Sequence, residues 1–167
     1  MRLLPLDDPA CLQLAAGWLA DPQNARWLQF GDGSGPVAAA TLKIMAQRPT
    51  SWVRAFTGDD DTTAVGVVGL GDISLVHRTA VSWVVLGDKR LAGRHFAGRA
   101  MSAALDAGFG DLALASISTW VVDTNLPSRR MTERIGFRLI GRQRQCHVID
   151  GHLHDRLLYD VLADETR

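Results

Sequence analysis

The sequence predicts a mixed α/β (α+β) fold: a largely antiparallel central sheet flanked by helices. Three observations carry this. Apolar residues recur at helical spacing in two early segments and again in the middle of the chain. Between and after them lie β-rich runs separated by turn compositions. The last runs flank Asp150-Gly151, a hairpin signal. The predicted order is β-α-α-β-β-β-α-β-α-β-β, within one domain over residues 1–167.

Met1 to Leu6 reads as a short edge strand. Asp7 or Asp8 can cap the first helix, with Pro9 in its first turn. Leu12, Ala15, Ala16 and Leu19 then form one apolar face, and Asp21-Pro22 ends the helix. Gly31 to Pro36 is the loosest stretch, too short to separate domains. Val37 to Gln47 reads as a second helix stopped by Pro49. Trp52 to Phe56 and Thr63 to Leu70 read as strands joined by the turn Gly58-Asp59-Asp60-Asp61, and Val81 to Leu86 as a third. Phe96 to Phe109 is an Ala-rich helix with Met101, Leu105 and Phe109 aligned. Ile117 to Val122 returns to strand character. Ser128 to Ile135 is a short helix ended by Gly136. Phe137 to Ile149 and Leu153 to Leu162 close the chain as a hairpin.

Composition excludes several classes. With 47% hydrophobic and 22% charged residues the chain is globular, not disordered. Lys plus Arg and Asp plus Glu are both 18, so no positive excess is available to grip nucleic acid. No apolar run approaches the roughly 18 residues of a membrane span, and Met1 to Pro9 meets acids and prolines before any apolar stretch, so no secretory leader is expected. Cys11 and Cys146 form neither a disulfide framework nor a zinc set, consistent with a cytoplasmic setting.

Two stretches suggest chemistry. In the run Val84 to Ala100 a strand enters a Gly-bearing loop that opens a helix. The first amides of such a helix lack intrahelical partners and, with the helix dipole, suit a pyrophosphate. Gly93 and Gly98 permit close backbone approach, and Arg94 adds charge. In the run Asn125 to Phe137, Asn125 or Ser128 caps a helix carrying basic residues on its exposed side.

Together, in this order, the two stretches resemble the GNAT superfamily of acyl-CoA-dependent N-acetyltransferases. Leu86-Gly87-Asp88-Lys89-Arg90-Leu91-Ala92-Gly93-Arg94-His95-Phe96-Ala97-Gly98-Arg99-Ala100 is similar to the phosphate loop of one branch. Asn125, Ser128, Arg130, Glu133, Gly136 and Phe137 match the second signature, Asn-x-x-Ser-x-Arg-x-x-Glu-x-x-Gly-Phe. With the hairpin at Asp150-Gly151 and Asp155, they resemble the Rim-type branch, which acetylates ribosomal-protein N-termini. The chain departs from the loop pattern at His95, where the family has its middle Gly, and at Ala92, where it has Arg or Gln. A negative φ at His95 would keep its amide on the phosphates; a positive one would strain the seat.

The resemblance implies acetyl-CoA as cosubstrate and a primary amine, of a small molecule or a protein N-terminus, as acceptor. The coenzyme would lie where the strands through Val84 and Val121 part. Pantetheine would pair with the backbone of Val84 to Leu86, the pyrophosphate would rest on the amides of Arg94, His95, Phe96, Ala97 and Gly98 (with Gly93 opening the turn), and Asn125 would bond pantetheine. A backbone N–H near Val84 would hold the developing oxyanion. The family's frequent Glu base aligns with Val81 and its frequent Tyr acid with Thr132; Tyr159 is the only tyrosine. Ser128 remains to assist the leaving thiolate, and Asp72, His77 and Asp123 are candidates for the base. A free α-amine, with a pKa of about 7.7–8.0, needs less help than a lysine at about 10.4.

The other histidines and the cysteines carry weaker signals. His152, His154 and Asp155 lack further metal ligands, and Cys146 and His147 are strand neighbours that point to opposite faces. Trp18, Trp27, Trp52, Trp83 and Trp120 read as core or cleft wall. The stretch from Leu12 to Arg48 carries few acids, which disfavours a polycationic acceptor and favours a peptide α-amine or neutral amine. A second reading, from the absent Glu and Tyr, is a non-catalytic acyl-CoA sensor. Exposed strand edges in this fold offer a surface on which two copies can pair as a homodimer.

Overall fold

The computed structural model describes residues 1–30 and 37–165; the Gly/Ser stretch at 31–36 lies outside them. Asp8 accepts from the Cys11 amide and caps α1 (Pro9–Ala20), whose face of Leu12, Ala15, Ala16 and Leu19 is buried. Asp21 does not simply end the helical region. Its carboxylate caps a further short helix, α2 (Pro22–Ala25), which opens on Pro22. Three helices thus precede the second strand, where the sequence predicts two; the third is α3 (Ala39–Gln47).

The strands are β1 (Leu3–Pro5), β2 (Trp52–Thr57), β3 (Ala64–Ser74), β4 (Thr79–Leu86), β5 (Ser116–Val122), β6 (Arg138–Ile149) and β7 (His152–Leu162), in sheet order β1-β2-β3-β4-β5-β7-β6. Only β4 and β5 run parallel. Their crossover is a short 3₁₀ turn (Lys89–Leu91) and α4 (Phe96–Phe109); α5 (Leu126–Arg134) follows β5. At the hairpin tip Asp150 and Gly151 both have positive φ, 52° and 79°, the geometry of a two-residue type I′ turn. Among the described residues no helix is long and apolar enough to cross a membrane.

Alternation along the strands divides the core in two. Val68 and Leu70 of β3 pack with α4 through Ala100, Met101, Ala104 and Leu105. Val67 of β3 and Val85 of β4 pack with α1 and α3 through Leu12, Ala15, Leu19 and Leu42. Glycines let aromatic rings lie against the sheet. A methyl on Gly69 would stand 2.6 Å from the Trp83 ring, and one on Gly87 would stand 2.0 Å from Trp18.

Candidate active site

The site begins where one hydrogen-bond ladder stops. β4 and β5 pair only over Thr79↔Ser116, Ala80↔Ile117 and Val81↔Ser118. At the edge of the gap, side chains replace the ladder. Ser118 Oγ donates to the Ala80 carbonyl at 3.3 Å, and Thr119 Oγ1 donates to the Ser82 carbonyl at 2.9 Å. Even-numbered residues of β4 therefore turn their backbone toward β5. By alternation, the N–H and C=O of Val84 face the gap. The Leu86 carbonyl, two residues on, accepts Lys89 Nζ at 2.9 Å.

The gap opens into a cavity of about 1300 Å³, bounded by β4, β5, α3, the start of α4 and the start of α5. At its α4 end, the first helical bond runs from the Arg99 amide to the His95 carbonyl at 3.0 Å. The amides of Phe96, Ala97 and Gly98 precede it and have no helical acceptor. Arg94 differs from expectation: its amide is spent on the Leu91 carbonyl at 3.2 Å. Its guanidinium bonds Asp59 at 2.7 Å, where Arg99 approaches at 3.5 Å. His95 adopts φ +60°, ψ 13°, the positive one of the two alternatives the loop pattern leaves open. A left-handed residue at this N-cap turns the chain into α4 as a glycine would, at some strain. Its Nδ1 lies 3.1 Å from the guanidinium of Arg134. Gly93 also has positive φ, 84°. A methyl on Gly98 would meet only Met131 and Ile135 of α5 at ordinary contact distance.

The α5 side is set by a cap. Asn125 Oδ1 accepts the Ser128 amide at 3.3 Å, so Asn125, not Ser128, caps the helix. Asn125 and Ser128 both line the cavity, as do Arg130 and Arg134. The basic residues are not all on a solvated face: Arg129 is half-buried and donates to the Asp123 carbonyl at 3.1 Å. Thr132, at the position of the family's Tyr, is buried and lines the cavity. Tyr159 is fully buried in the core and donates to Glu133 at 3.1 Å. Burial raises its pKa, and it does not line the cavity.

The three candidate bases separate. Asp72 lines the cavity, in a β-bulge where β3 and β4 slip register between Gly71↔Val81 and Ser74↔Thr79; its φ is +49°. His77 sits exposed in the β3–β4 turn, its amide on Ser74 Oγ, and does not line the cavity. Asp123 turns toward His154, 3.6 Å away, and is also absent from the lining. His152 pairs across the hairpin with Ile149 and His154 with His147, while Asp155 accepts the Gln145 amide at 2.8 Å. Among the described residues no group of three or more metal-ligating side chains forms.

Several cavity-forming residues give no local signal in the sequence. Lys89 is exposed along its length, but its Nζ binds Asn24 Oδ1 as well as the Leu86 carbonyl, joining α2 to the end of β4; desolvation lowers its pKa. Trp83 meets Phe30 edge-on at 5.0 Å, and both line the cavity with Trp27 and Trp120. Arg156 stacks on Trp120 at 3.9 Å, and donates through Nε to His147 Nδ1 at 3.2 Å. His147 Nε2 then donates to the Arg26 carbonyl at 2.7 Å, which makes the ring neutral. Burial pushes its pKa down and the Arg156 charge adds to this.

Residues 1–138 match the family model described as "Acetyltransferase (GNAT) domain". No curated protein matches the chain. A solved spermidine N-acetyltransferase from Vibrio cholerae, in complex with CoA and spermine, superposes with a TM-score of 0.82 at 19% identity, covering 99% of this chain and 95% of that one. A solved structure described as a probable acetyltransferase gives 0.79 at 22% identity, covering 96% and 92%. A chimera of the Vibrio cholerae spermidine enzyme with hSSAT gives 0.81 at 20% identity, covering 99% of each chain. At these identities the likeness is one of fold.

Proposed function

The chain belongs to the GNAT acetyltransferase family, and from that membership we infer how its cleft moves an acetyl group from acetyl-CoA to a primary amine. The observation that carries the reading is the parting of β4 and β5 beside the start of α4. A pantetheine chain is extended and carries amides, so it can complete the ladder that β5 abandons. The backbone of Val84 and Leu86 is the strand it would join. The pyrophosphate would rest on the amides of Phe96, Ala97 and Gly98, within the field of Arg99, Arg130 and Arg134. Gly93 and His95 turn the chain into that seat, and Asn125 would offer its amide nitrogen to pantetheine.

In the transfer, the amine nitrogen bonds the acetyl carbon and the carbon–sulfur bond breaks. The Val84 N–H would hold the carbonyl oxygen as charge develops on it. The ammonium must lose one proton to attack and the product another. Asp72, which lines the cavity, would take it, directly or through a water. The Ser128 hydroxyl would bond the departing sulfur. The Rim-like second motif supports a peptide α-amine as acceptor, and the fold likeness to the spermidine enzyme supports a small amine. Both fit an intracellular enzyme.

Asp72→Asn and Ser128→Ala test these roles through thiol release from acetyl-CoA. Each should lower kcat by about 10²- to 10⁴-fold while acetyl-CoA binding, read by calorimetry, is retained. Wild-type kcat in either variant would remove that residue from the mechanism.

A further inference from the structure

We propose that the acceptor is a primary amine bearing a single positive charge on an aromatic or bulky apolar body. This rests on the acetyl-transfer reading of the same cleft and concerns the half of it that the coenzyme leaves open. That half is walled by Trp27, Phe30, Trp83 and Trp120, with Ile44 and Met45 of α3. Among the described residues Asp72 is the only carboxylate lining the whole cavity. Residues 22–30 and 37–51, which supply one wall, hold no acid, against Arg26, Lys43 and Arg48. Arg48 itself lines the cavity.

Charge and desolvation then select the acceptor. One ammonium can face Asp72, which also stands ready for its proton. A polyamine would bring further ammonium groups against indole, phenyl and thioether walls and toward Arg48. Removing those groups from water without a carboxylate is costly, and like charges at close range add to the cost. The rings give some cation–π return, but Trp120 already carries the Arg156 guanidinium at 3.9 Å. An aromatic or bulky apolar body meets none of these penalties. It gains dispersion and edge-to-face contacts with the Phe30–Trp83 pair. The amine can come from a free arylalkylamine or from a chain end whose first residue is aromatic.

The test uses the whole protein with acetyl-CoA and four acceptors: 2-phenylethylamine, tryptamine, a tetrapeptide beginning with Phe, and spermidine. Thiol release gives kcat/KM. Quenching of tryptophan fluorescence in the CoA-loaded protein gives binding separately. The expected result is an aromatic acceptor preferred over spermidine by at least about tenfold; whether free amine or peptide leads identifies the source. Ile44→Glu, on an exposed position of the wall, should shift that ratio toward spermidine by about tenfold. Equal or faster turnover of spermidine overturns the inference and leaves acetyl transfer standing. Saturable binding of aromatic amines with no turnover of any amine upholds the pocket and overturns the transfer reading. Neither binding nor turnover of aromatic amines overturns the inference.

Discussion

Gly69→Ala isolates the acceptor wall from the coenzyme seat. The added methyl would lie 2.6, 2.7 and 2.9 Å from three atoms of the Trp83 ring. Carbon–carbon contact settles at about 3.5 Å, so the ring or strand must retreat by roughly 0.6–0.9 Å. Overpacking of this kind costs about 1–3 kcal/mol. For a chain of this size that lowers Tm by about 2–12 °C. A displacement near 1 Å also degrades reaction geometry, by about a hundredfold in kcat/KM. Trp83 packs on the α1/α3 face of the sheet and Met101 and Leu105 of α4 on the other, so the Kd for acetyl-CoA should hold. Differential scanning fluorimetry, calorimetry with acetyl-CoA and amine-dependent thiol release read the three quantities. Trp83→Phe in the same chain should recover part of the Tm, because the smaller ring leaves room for the methyl. Unchanged Tm and kcat/KM would refute the account of Gly69 as the bed of Trp83. Loss of acetyl-CoA binding would refute the separation of the two halves.

Other expectations follow from the same geometry. Ala97→Phe fills the opening at the start of α4; acetyl-CoA affinity should fall by at least about tenfold, or 1.4 kcal/mol, with little change in the Tm of the free protein, and calorimetry giving wild-type affinity would move the seat elsewhere. Asn125→Ala removes the cap of α5 and should cost about 1 kcal/mol, or about 2–4 °C in Tm; Asn125→Ser keeps a capping oxygen, so it should restore the Tm while a loss in acetyl-CoA affinity remains. His147 has a depressed pKa in the folded chain, so the unfolded chain binds its proton first as pH falls. Its contribution is full above about pH 6.5 and declines as pH drops toward the folded value. Thermal melts between about pH 7.5 and 5.5 should show a shallower decline in His147→Gln than in wild type; parallel curves would assign the decline to other groups.

Much of the scaffold is legible because its signals are local. Asp8 before Pro9, the apolar spacing of Phe96 to Phe109, and the Asp150-Gly151 turn each act within a few residues. The same holds for Asn125, whose side chain reaches only to Ser128. The short helix at Pro22 was hidden because four residues cannot show a period, and Asp21-Pro22 serves equally as a stop or as a cap. The bulge at Asp72 depends on how β3 and β4 slip past one another, a property of the pair and not of either strand. His95 is left-handed at the N-cap of α4, a conformation that its identity as a non-glycine residue does not announce. The acceptor wall was least visible. Phe30 meets Trp83, Asn24 meets Lys89, and Trp120 is covered by Arg156, contacts between distant parts of the chain. Only the scarcity of acid between Leu12 and Arg48 hinted at its character.

The parting of β4 from β5 has a consequence for the life of the protein outside catalysis. It leaves a margin of β4 beyond Val81 with no strand partner on the β5 side. A coenzyme seated there would close that margin and, by mass action, hold the folded form against opening. Persistence of the folded chain would then rise with the concentration of acetyl-CoA relative to its Kd, by RT ln(1 + [L]/Kd).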